Sequence, residues 1–359
     1  MKHTLLIPAA GASSRFPNMR PKWLLTHPNG NLMVAEAIRG LQPEGFDRIL
    51  LVVLAEHEQK YGFRRGVQEQ FEELGWANRL EIIELPEITR SQPETVAKGL
   101  RAADVEGPFC IKDTDNYFRA EAKPVDFVTY CDLDQLALVN AANKSYVSFN
   151  ERDLVTNIVE KQIISKSFCT GLYGFSDAER FLMHFERLKD EEGLFVSHVI
   201  FDMLLAKREF LAVPSEDYAD WGTLKDWDRF KAQYATLFID IDGVLIENSG
   251  QYFSPRWGET KGIRDNIDAV NRLYASGKVQ VILTTSRRST YRQATLAQLE
   301  REGVRYHTIL FDLHHGRRVV INDYSATNPY RSCDAINIRR NATELGQMMD
   351  AVLGMPENP

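Results

Sequence analysis

Short apolar runs alternate with helix-spaced apolar residues along the first part of the chain, and this alternation limits the fold more than any other feature. The runs lie at 4–9, 49–55, 80–85 and 108–112. The segments between them carry apolar residues at the spacing of one helix face, for example Met33, Ala37, Ile38 and Leu41. Strands that alternate with helices are typical of a doubly wound parallel sheet, so the sequence predicts an α/β fold.

The pattern changes between about residue 126 and residue 175. The apolar pieces become shorter and β-like, as in LALVNAA, SYVSF, LVTNIVE and SFCTGLYGF. Such pieces predict a small insertion of antiparallel strands within the first domain.

The strand-then-helix rhythm restarts at residue 236. This part opens on LFIDIDG and continues through a helical pattern to the apolar runs VQVILTT, YHTILF, RVVIND and AINI. A chain of 359 residues also exceeds the size at which one hydrophobic core usually suffices. The sequence therefore predicts two doubly wound domains, 1–235 and 236–359.

Charge and cysteine usage restrict the partners and the compartment. The formal net charge of -7 disfavours nucleic acid and anionic membranes as partners, because both repel an acidic protein. The apolar run at 49–55 is too short to span a bilayer. The four cysteines are far apart and form no CxxC pair, so neither a zinc site nor a disulfide framework is indicated. We expect a cytoplasmic protein; a homo-oligomer is neither required nor excluded.

A loop of small residues follows the first apolar run. Ala9-Ala10-Gly11 ends that run, and Ala12-Ser13-Ser14 follows it. Backbone N–H groups in such a loop approach a phosphate closely when the loop opens a helix. Arg15 and Lys22 place two cations nearby, so the loop is a candidate phosphate site.

Five segments, in order along residues 1–235, carry a resemblance to a known family. They are AAGASSR with Pro21-Lys22, QPETVAKGL, KDTDNYF, IVEK followed by TGLYGF, and ADWGTLKDW. In these segments the chain resembles the nucleotidyltransferases that join a sugar 1-phosphate, or a similar phosphorylated metabolite, to a nucleoside triphosphate. The order of the five segments makes the resemblance specific.

The resemblance implies a role for each matching residue. Arg15 and Lys22 hold the triphosphate and the pyrophosphate leaving group, and Asp115 and Asp220 hold magnesium. The other binding residues are Ala10, Gly11, Ala12 and Ser13 for the triphosphate, Gln92 and Thr95 for the base, and Glu160, Lys161 and Gly171 for the acceptor. The chemistry fits, because joining two phosphates requires neutralised and aligned anions, and Mg²⁺ prefers carboxylate oxygens.

Two departures concern the substrate. Ser13 stands where many relatives have glycine, and Trp23 follows Pro21-Lys22 where many sugar enzymes have a second proline. These differences leave room for an acceptor other than a common hexose phosphate.

A second site is indicated in LFIDIDGVL. Asp240 and Asp242 are two residues apart, so an extended strand places both on one face. The motif resembles that of the haloacid dehalogenase-like phosphatases. The resemblance implies that Asp240 is the nucleophile, that Asp242 is the general acid/base and that magnesium lies against both. It also implies that Thr285 of VILTTSR binds phosphate and that Asp323 of VVIND is a metal ligand.

The third motif of that family, usually a lysine, is absent. No lysine lies between Gly303 and Asp323, so Arg317 or Arg318 is predicted to replace it, with Arg287 the next candidate. The domain also lacks room for a large cap.

The two resemblances together imply a bifunctional enzyme that uses a nucleoside triphosphate and a small phosphorylated metabolite, with Mg²⁺ as cofactor. Its pathway would supply activated precursors for surface polysaccharide. Two alternatives stay open. In one, the first unit is a CTP-dependent enzyme that acts on a phosphorylated alcohol or amine, such as phosphocholine or glycerol phosphate. In the other, the second unit is a non-catalytic binding or dimerisation module.

Overall fold

The computed structural model describes residues 2–11, 15–17, 19–135, 141–250, 255–323 and 333–353. The chain divides into two compact units, Met1–Trp227 and Asp228–Pro359. The domain boundary expected from the sequence, between 235 and 236, stays a prediction.

The strands of the first unit build one large sheet and one small one. They are β1 (Thr4–Pro8), β2 (Arg48–Leu54), β3 (Leu80–Leu85), β4 (Phe109–Lys112), β5 (Asn116–Arg119), β6 (Phe127–Asp132), β7 (Ser145–Phe149), β8 (Val155–Glu160), β9 (Ser167–Phe175), β10 (Leu211–Pro214) and β11 (Glu216–Asp220). The helices are α1 (Met33–Arg39), α2 (Ala55–Tyr61), α3 (Phe63–Glu73), α4 (Gln92–Ala102), α5 (Ala178–Leu188), α6 (Val196–Leu205) and α7 (Leu224–Lys231), which contains the division between the units.

The large sheet is mixed: its β1–β4 part is parallel, and the other part is mainly antiparallel but ends in the parallel pair β10 and β6. Its strand order is β10-β6-β9-β4-β1-β2-β3, with β7 paired to β8 and β9. Strands β1, β2, β3 and β4 run parallel to one another, whereas β9 runs antiparallel to β4 and β6. The predicted α/β fold and the antiparallel strands within 126–175 are both confirmed.

Side-chain alternation gives this sheet two buried faces. Leu5 and Ile7 of β1 belong to one hydrophobic cluster, and Leu6 belongs to the other. Apolar burial on both faces is what a doubly wound parallel sheet requires. The carboxyl ends of β1 and β4 meet at one edge of the sheet, which brings the opening loop toward the turn after Lys112.

The second unit contains a parallel sheet of three strands in its described part. These are β12 (Ala235–Asp240), β13 (Val279–Thr284) and β14 (Thr308–Leu310), in that order. Its helices are α8 (Arg264–Ala275), α9 (Arg292–Arg301) and α10 (Leu345–Leu353). The core lies between the sheet and these helices and includes Ile239, Val281 and Ile267.

The strand predictions for RVVIND and AINI were wrong. Residues 318–323 and 335–338 have no strand structure, and Val319, Val320 and Ile321 are exposed. An apolar run becomes a strand only when a neighbouring backbone pairs with it, and β12 pairs with β13 alone among the described strands.

In the described ranges of both units, every helix is too short or too polar to cross a membrane.

Candidate active sites

The opening loop leaves β1 at the carboxyl edge of the large sheet. The Ala9 N–H donates to the Val52 carbonyl at 2.7 Å, so the loop begins anchored to β2. Ala10 is buried, whereas Gly11 is exposed, with open space where a side chain would stand. The predicted phosphate contacts Ala12 and Ser13 lie outside the described residues. Among the residues that the structure describes, none fills the space beside Gly11.

The structure brings Asp115 and Asp220 together. Strand β5 pairs with β11 so that Asp220 lies opposite Asn116, and the Trp221 N–H donates to the Asp115 carbonyl at 2.8 Å. A methyl group on Gly222 would contact Asp220 Oδ1 at 3.0 Å and Asp115 Oδ2 at 3.4 Å, so both carboxylates border one point. Two segments a hundred residues apart therefore supply one pair of acids.

The predicted cations surround this pair. Lys22 Nζ donates to Asp115 Oδ2 at 2.6 Å, and Arg15 Nη2 donates to the same oxygen at 3.2 Å. Burial alone raises the pKa of Asp115, but the charges of Lys22 and Arg15 outweigh it and hold that pKa well below its usual range. Asp115 is therefore ionised at neutral pH.

A second, half-buried carboxyl, which the sequence analysis did not single out, lies beside the first. Gln92 Nε2 donates to Asp113 Oδ1 at 2.5 Å, and burial together with the Asp115 charge raises the pKa of Asp113. The predicted base contact Gln92 therefore holds Asp113. Thr95 is buried, and its hydroxyl bonds to Thr89 Oγ1 at 2.5 Å, so a base contact by this residue stays a prediction.

Lys112 holds the turn that carries these acids, and it was also missed. Its ammonium is fully buried and donates to the Asp113 carbonyl at 2.8 Å and to the Asn116 side chain at 2.5 Å. Burial lowers the pKa of Lys112 to about 7. A lysine at the end of the apolar strand FCIK was the available signal.

The predicted acceptor residues lie on β8 and β9. Glu160 accepts hydrogen bonds from Ser145 and, at 2.9 Å, from Ser197, so it ties β7 and α6 together. Lys161 follows β8, and its ammonium lies 4.3 Å from the centre of the Phe195 ring. Gly171 has a φ of +95°, and a side chain there would lie 2.5 Å from Asp113 Oδ2, so only glycine leaves space for that carboxyl.

A third cation, Lys144, is the main site residue that the sequence analysis missed. Its ammonium donates to Asp220 Oδ2 at 2.5 Å and to the Tyr218 hydroxyl at 2.6 Å. Each carboxylate of the pair thus has its own basic partner.

The second site lies at the carboxyl end of β12. Burial and the neighbouring Asp242 charge raise the pKa of Asp240, while Arg318 and Arg287 act in the opposite direction. The fully buried Arg287 donates through Nε to Asp242 Oδ2 at 2.9 Å and through Nη2 to Asp242 Oδ1 at 2.8 Å. A bidentate pair of this kind fixes the direction of the carboxylate.

Arg287 is itself held by the helix that follows. Its Nη1 donates to Gln298 at 2.7 Å and to Thr295 at 3.2 Å, both on α9. The Thr285 hydroxyl accepts the Arg287 N–H at 3.0 Å. Phosphate binding by the buried Thr285 stays a prediction.

The remaining predicted residues of this site lie on the segment after β14. Arg318 donates to the His314 and Gly316 carbonyls at 2.9 and 3.0 Å, and its charge reaches Asp240. Arg317 and Asp323 are exposed. Over the described residues of the chain, no group of three or more His, Cys, Asp or Glu side chains is arranged to hold a metal, so the role of Asp323 as a ligand stays a prediction.

We expect Arg318→Ala to shift the acid limb of the phosphate-ester hydrolysis profile to higher pH. The Arg318 charge lowers the pKa of Asp240, so its removal raises that pKa, and the carboxylate form then needs a higher pH. The shift is measured from hydrolysis rates between about pH 4 and about pH 9, taken at intervals of about half a pH unit. Arg317→Ala is the matched control, and an identical profile in both variants would remove Arg318 from the site.

The second unit matches a family in sequence. Residues 236–334 match the model of the family described as "HAD domain in Swiss Army Knife RNA repair proteins". No curated protein matches the chain.

Solved structures match the fold of the first unit. The nucleoside-diphosphate-sugar pyrophosphorylase from Vibrio cholerae RC9 is 20% identical with a TM-score of 0.53, and the match covers 63% of this chain and 98% of that one. UDP-glucose pyrophosphorylase complexed with UDP-glucose is 13% identical, with a TM-score of 0.52 and coverages of 64% and 97%. The inositol-1-phosphate CTP transferase from T. maritima is 16% identical, with a TM-score of 0.50 and coverages of 63% and 91%.

The two resemblances stated from the sequence are therefore confirmed at the level of fold and domain. The chain joins a nucleotidyltransferase fold to a haloacid dehalogenase-like (HAD) domain.

Proposed function

We propose that the first unit transfers a nucleotidyl group from a nucleoside triphosphate to a sugar phosphate or similar phosphorylated metabolite and releases pyrophosphate. The observation that carries this proposal is the pair Asp115 and Asp220, bordered by Lys22, Arg15 and Lys144 beside the opening loop. Because this reaction consumes a nucleoside triphosphate, we place it in the cytoplasm, where that substrate is supplied.

The donor set fits magnesium. Mg²⁺ binds through one or two carboxylates and completes its shell with water and substrate phosphates, so two aspartates suffice when a nucleotide is present. When bound, the ion supplies charge for the triphosphate. Lys22 and Arg15 neutralise the triphosphate and the leaving pyrophosphate, and Lys161 meets the phosphate of the acceptor. Charge neutralisation and alignment then supply most of the rate.

We propose that the second unit hydrolyses a phosphate ester with Mg²⁺. An oxygen of Asp240 attacks phosphorus, the bond from phosphorus to the leaving oxygen breaks, and the leaving oxygen takes up a proton. Water then attacks the aspartyl-phosphate and releases inorganic phosphate. We assign the acid and base role in these steps to Asp242, whose two carboxylate oxygens both accept hydrogen bonds from Arg287. A pathway that supplies activated precursors for surface polysaccharide would use both reactions.

The acceptor is the point on which the alternatives differ. The solved structures of similar fold include one with UDP-glucose and one named for inositol 1-phosphate and CTP, so hexose phosphates and phosphorylated alcohols are both candidates. Pyrophosphate release should be measured for each nucleoside triphosphate against hexose 1-phosphates, inositol 1-phosphate, glycerol phosphate and phosphocholine. Activity with CTP and a phosphorylated alcohol or amine alone would favour the alternative. No release above that of Asp220→Asn with any pair would reject the transferase.

The match to a domain of RNA repair proteins favours one second candidate for the HAD unit. That candidate is removal of a terminal phosphate from an RNA end. The net charge of -7 belongs to the whole chain, whereas residues 228–359 carry 17 Lys and Arg against 15 Asp and Glu, so the charge of this unit does not oppose RNA binding. A 3′-phosphorylated oligoribonucleotide therefore belongs in the ester panel, and hydrolysis of it in preference to small esters would favour this candidate.

We expect Asp240→Asn to stop hydrolysis and to leave pyrophosphate release unchanged. An amide is a poor nucleophile toward phosphorus and a weaker metal ligand than a carboxylate. Phosphate release and pyrophosphate release should be assayed separately on this variant. Loss of both activities in a folded variant would contradict two independent sites. Hydrolysis by the variant at the wild-type rate would show that Asp240 is not the nucleophile. If the wild-type protein itself binds phosphate esters without hydrolysing them, the second unit is better explained as a binding module.

A further inference from the structure

Lys144 lies in a pocket built to hold a cation against Asp220. Only 13% of its side chain is exposed, and its ammonium lies 5.1 Å from the centre of the Tyr218 ring and 5.7 Å from that of Phe168. An aromatic ring attracts a nearby cation, so Phe168 favours the ammonium here, while Tyr218 binds it through its hydroxyl. Together with the bonds to Asp220 Oδ2 and the Tyr218 hydroxyl, this surrounding fixes the charge beside the pair of aspartates.

The position of Lys144 conflicts with metal binding by Asp220. Oδ1 of Asp220 accepts the Gly222 N–H at 2.9 Å, and Oδ2 accepts from Lys144. For Oδ2 to hold a metal ion, the Lys144 ammonium would have to leave that oxygen, and its charge would then lie beside the ion. The Lys144 charge also reaches Asp115, the other carboxylate of the pair. In the free protein, Lys144 therefore competes with the metal for these acids.

The backbone of Lys144 lies beside the predicted acceptor residues. The Lys144 carbonyl accepts the Lys161 N–H at 3.0 Å, and the next residue, Ser145, pairs across the strands with Glu160. Lys161 and Glu160 are the residues that the resemblance assigns to the acceptor. A phosphate bound by these residues would therefore lie close to the segment that carries Lys144.

We propose that Lys144 changes partner during the reaction: it holds Asp220 in the free protein and the phosphate of the acceptor once the metal is bound. This inference rests on the proposed transferase function. It makes metal binding and acceptor binding reinforce each other, because each removes the charge that opposes the other. Lys144 is thus both a substrate-binding residue and the link between the two binding events.

Manganese binding to the full chain tests the proposal without turnover. Free Mn²⁺ is measured by electron paramagnetic resonance, with Asp240→Asn in every protein to remove a ligand of the second site. In the absence of nucleotide, Lys144→Met should bind Mn²⁺ about tenfold more tightly than the parent, since a competing charge is gone. Inorganic phosphate should tighten Mn²⁺ binding in the parent and have no such effect in Lys144→Met.

Three further variants complete the test. Lys144→Arg keeps the cation and should bind Mn²⁺ like the parent, whereas Lys144→Gln should repeat the result of Lys144→Met with another neutral side chain. Lys166→Met is the matched control, because Lys166 is 63% exposed and pairs with Asp132 and Asp134 instead. It should leave the affinity unchanged.

The outcomes separate the inference from the function on which it rests. Mn²⁺ affinity that falls in Asp115→Asn but stays at the parent value in both neutral Lys144 variants would overturn the role of Lys144 alone. A parent protein whose Mn²⁺ affinity does not respond to phosphate would overturn it as well, whatever the variants do. Equal affinity in Asp115→Asn and the parent would reject the metal site and therefore both proposals.

Discussion

Asp115→Asn is expected to reduce nucleotidyl transfer by on the order of a thousandfold, the effect of removing one preorganised charged group from a site of this kind. The substitution takes away a carboxylate on which Lys22 and Arg15 converge and which borders Asp220. The two cations then lose their shared partner, and the metal loses one of its two protein ligands. Pyrophosphate release under saturating substrates measures the loss.

Asp113→Asn is the matched control, because it makes the same substitution two residues earlier in the same turn. Gln92 donates to Asp113 Oδ1, and the amide of asparagine keeps an oxygen that can accept this bond. We expect a loss of about tenfold or less, the scale of one hydrogen bond. A larger loss in Asp113→Asn than in Asp115→Asn would show that the metal ligand is Asp113.

The sequence identified the residues that meet around Asp115 and Asp220 better than it identified the residues that hold them in place. Arg15, Lys22, Asp115 and Asp220 lie in segments with a recognisable local pattern, and the structure brings them together. Lys144 lies in no such segment, since its position depends on the pairing of β7 with β8 and of β5 with β11. Long-range pairing of this kind is set by the fold and leaves little trace in local spacing.

In the second unit, the sequence overestimated the number of strands. Strands β12, β13 and β14 lie in apolar runs that the sequence identified, but RVVIND has the same character and pairs with none of the described strands. Composition predicts that a segment is able to form a strand, whereas a neighbouring edge decides whether it does so. Arg287 was only a second choice as a phosphate-binding cation, because neither its burial nor its bond to Asp242 can be read from VILTTSR.

Arg287→Met is expected to destabilise the second unit by about 3–5 kcal/mol, the effect of removing one partner of a buried ion pair. Asp242 then loses both of its guanidinium donors, and Gln298 loses a bond of 2.7 Å. Arg301→Met is the matched control on α9, since Arg301 is 53% exposed, and it should change stability by less than about 1 kcal/mol. Hydrogen exchange of peptides that contain β13 reports on this unit alone.

The double variant Arg287→Met with Asp242→Leu separates stability from chemistry. Replacing a buried ion pair by apolar side chains removes the unpaired charge, so the double variant should recover part of the stability that Arg287→Met loses. The bonds of Arg287 to Thr295 and Gln298 are not replaced, which limits the recovery. Hydrolysis should remain absent, because the acid and base of the reaction is gone. Full hydrolysis in the double variant would mean that Asp242 and Arg287 serve only the fold.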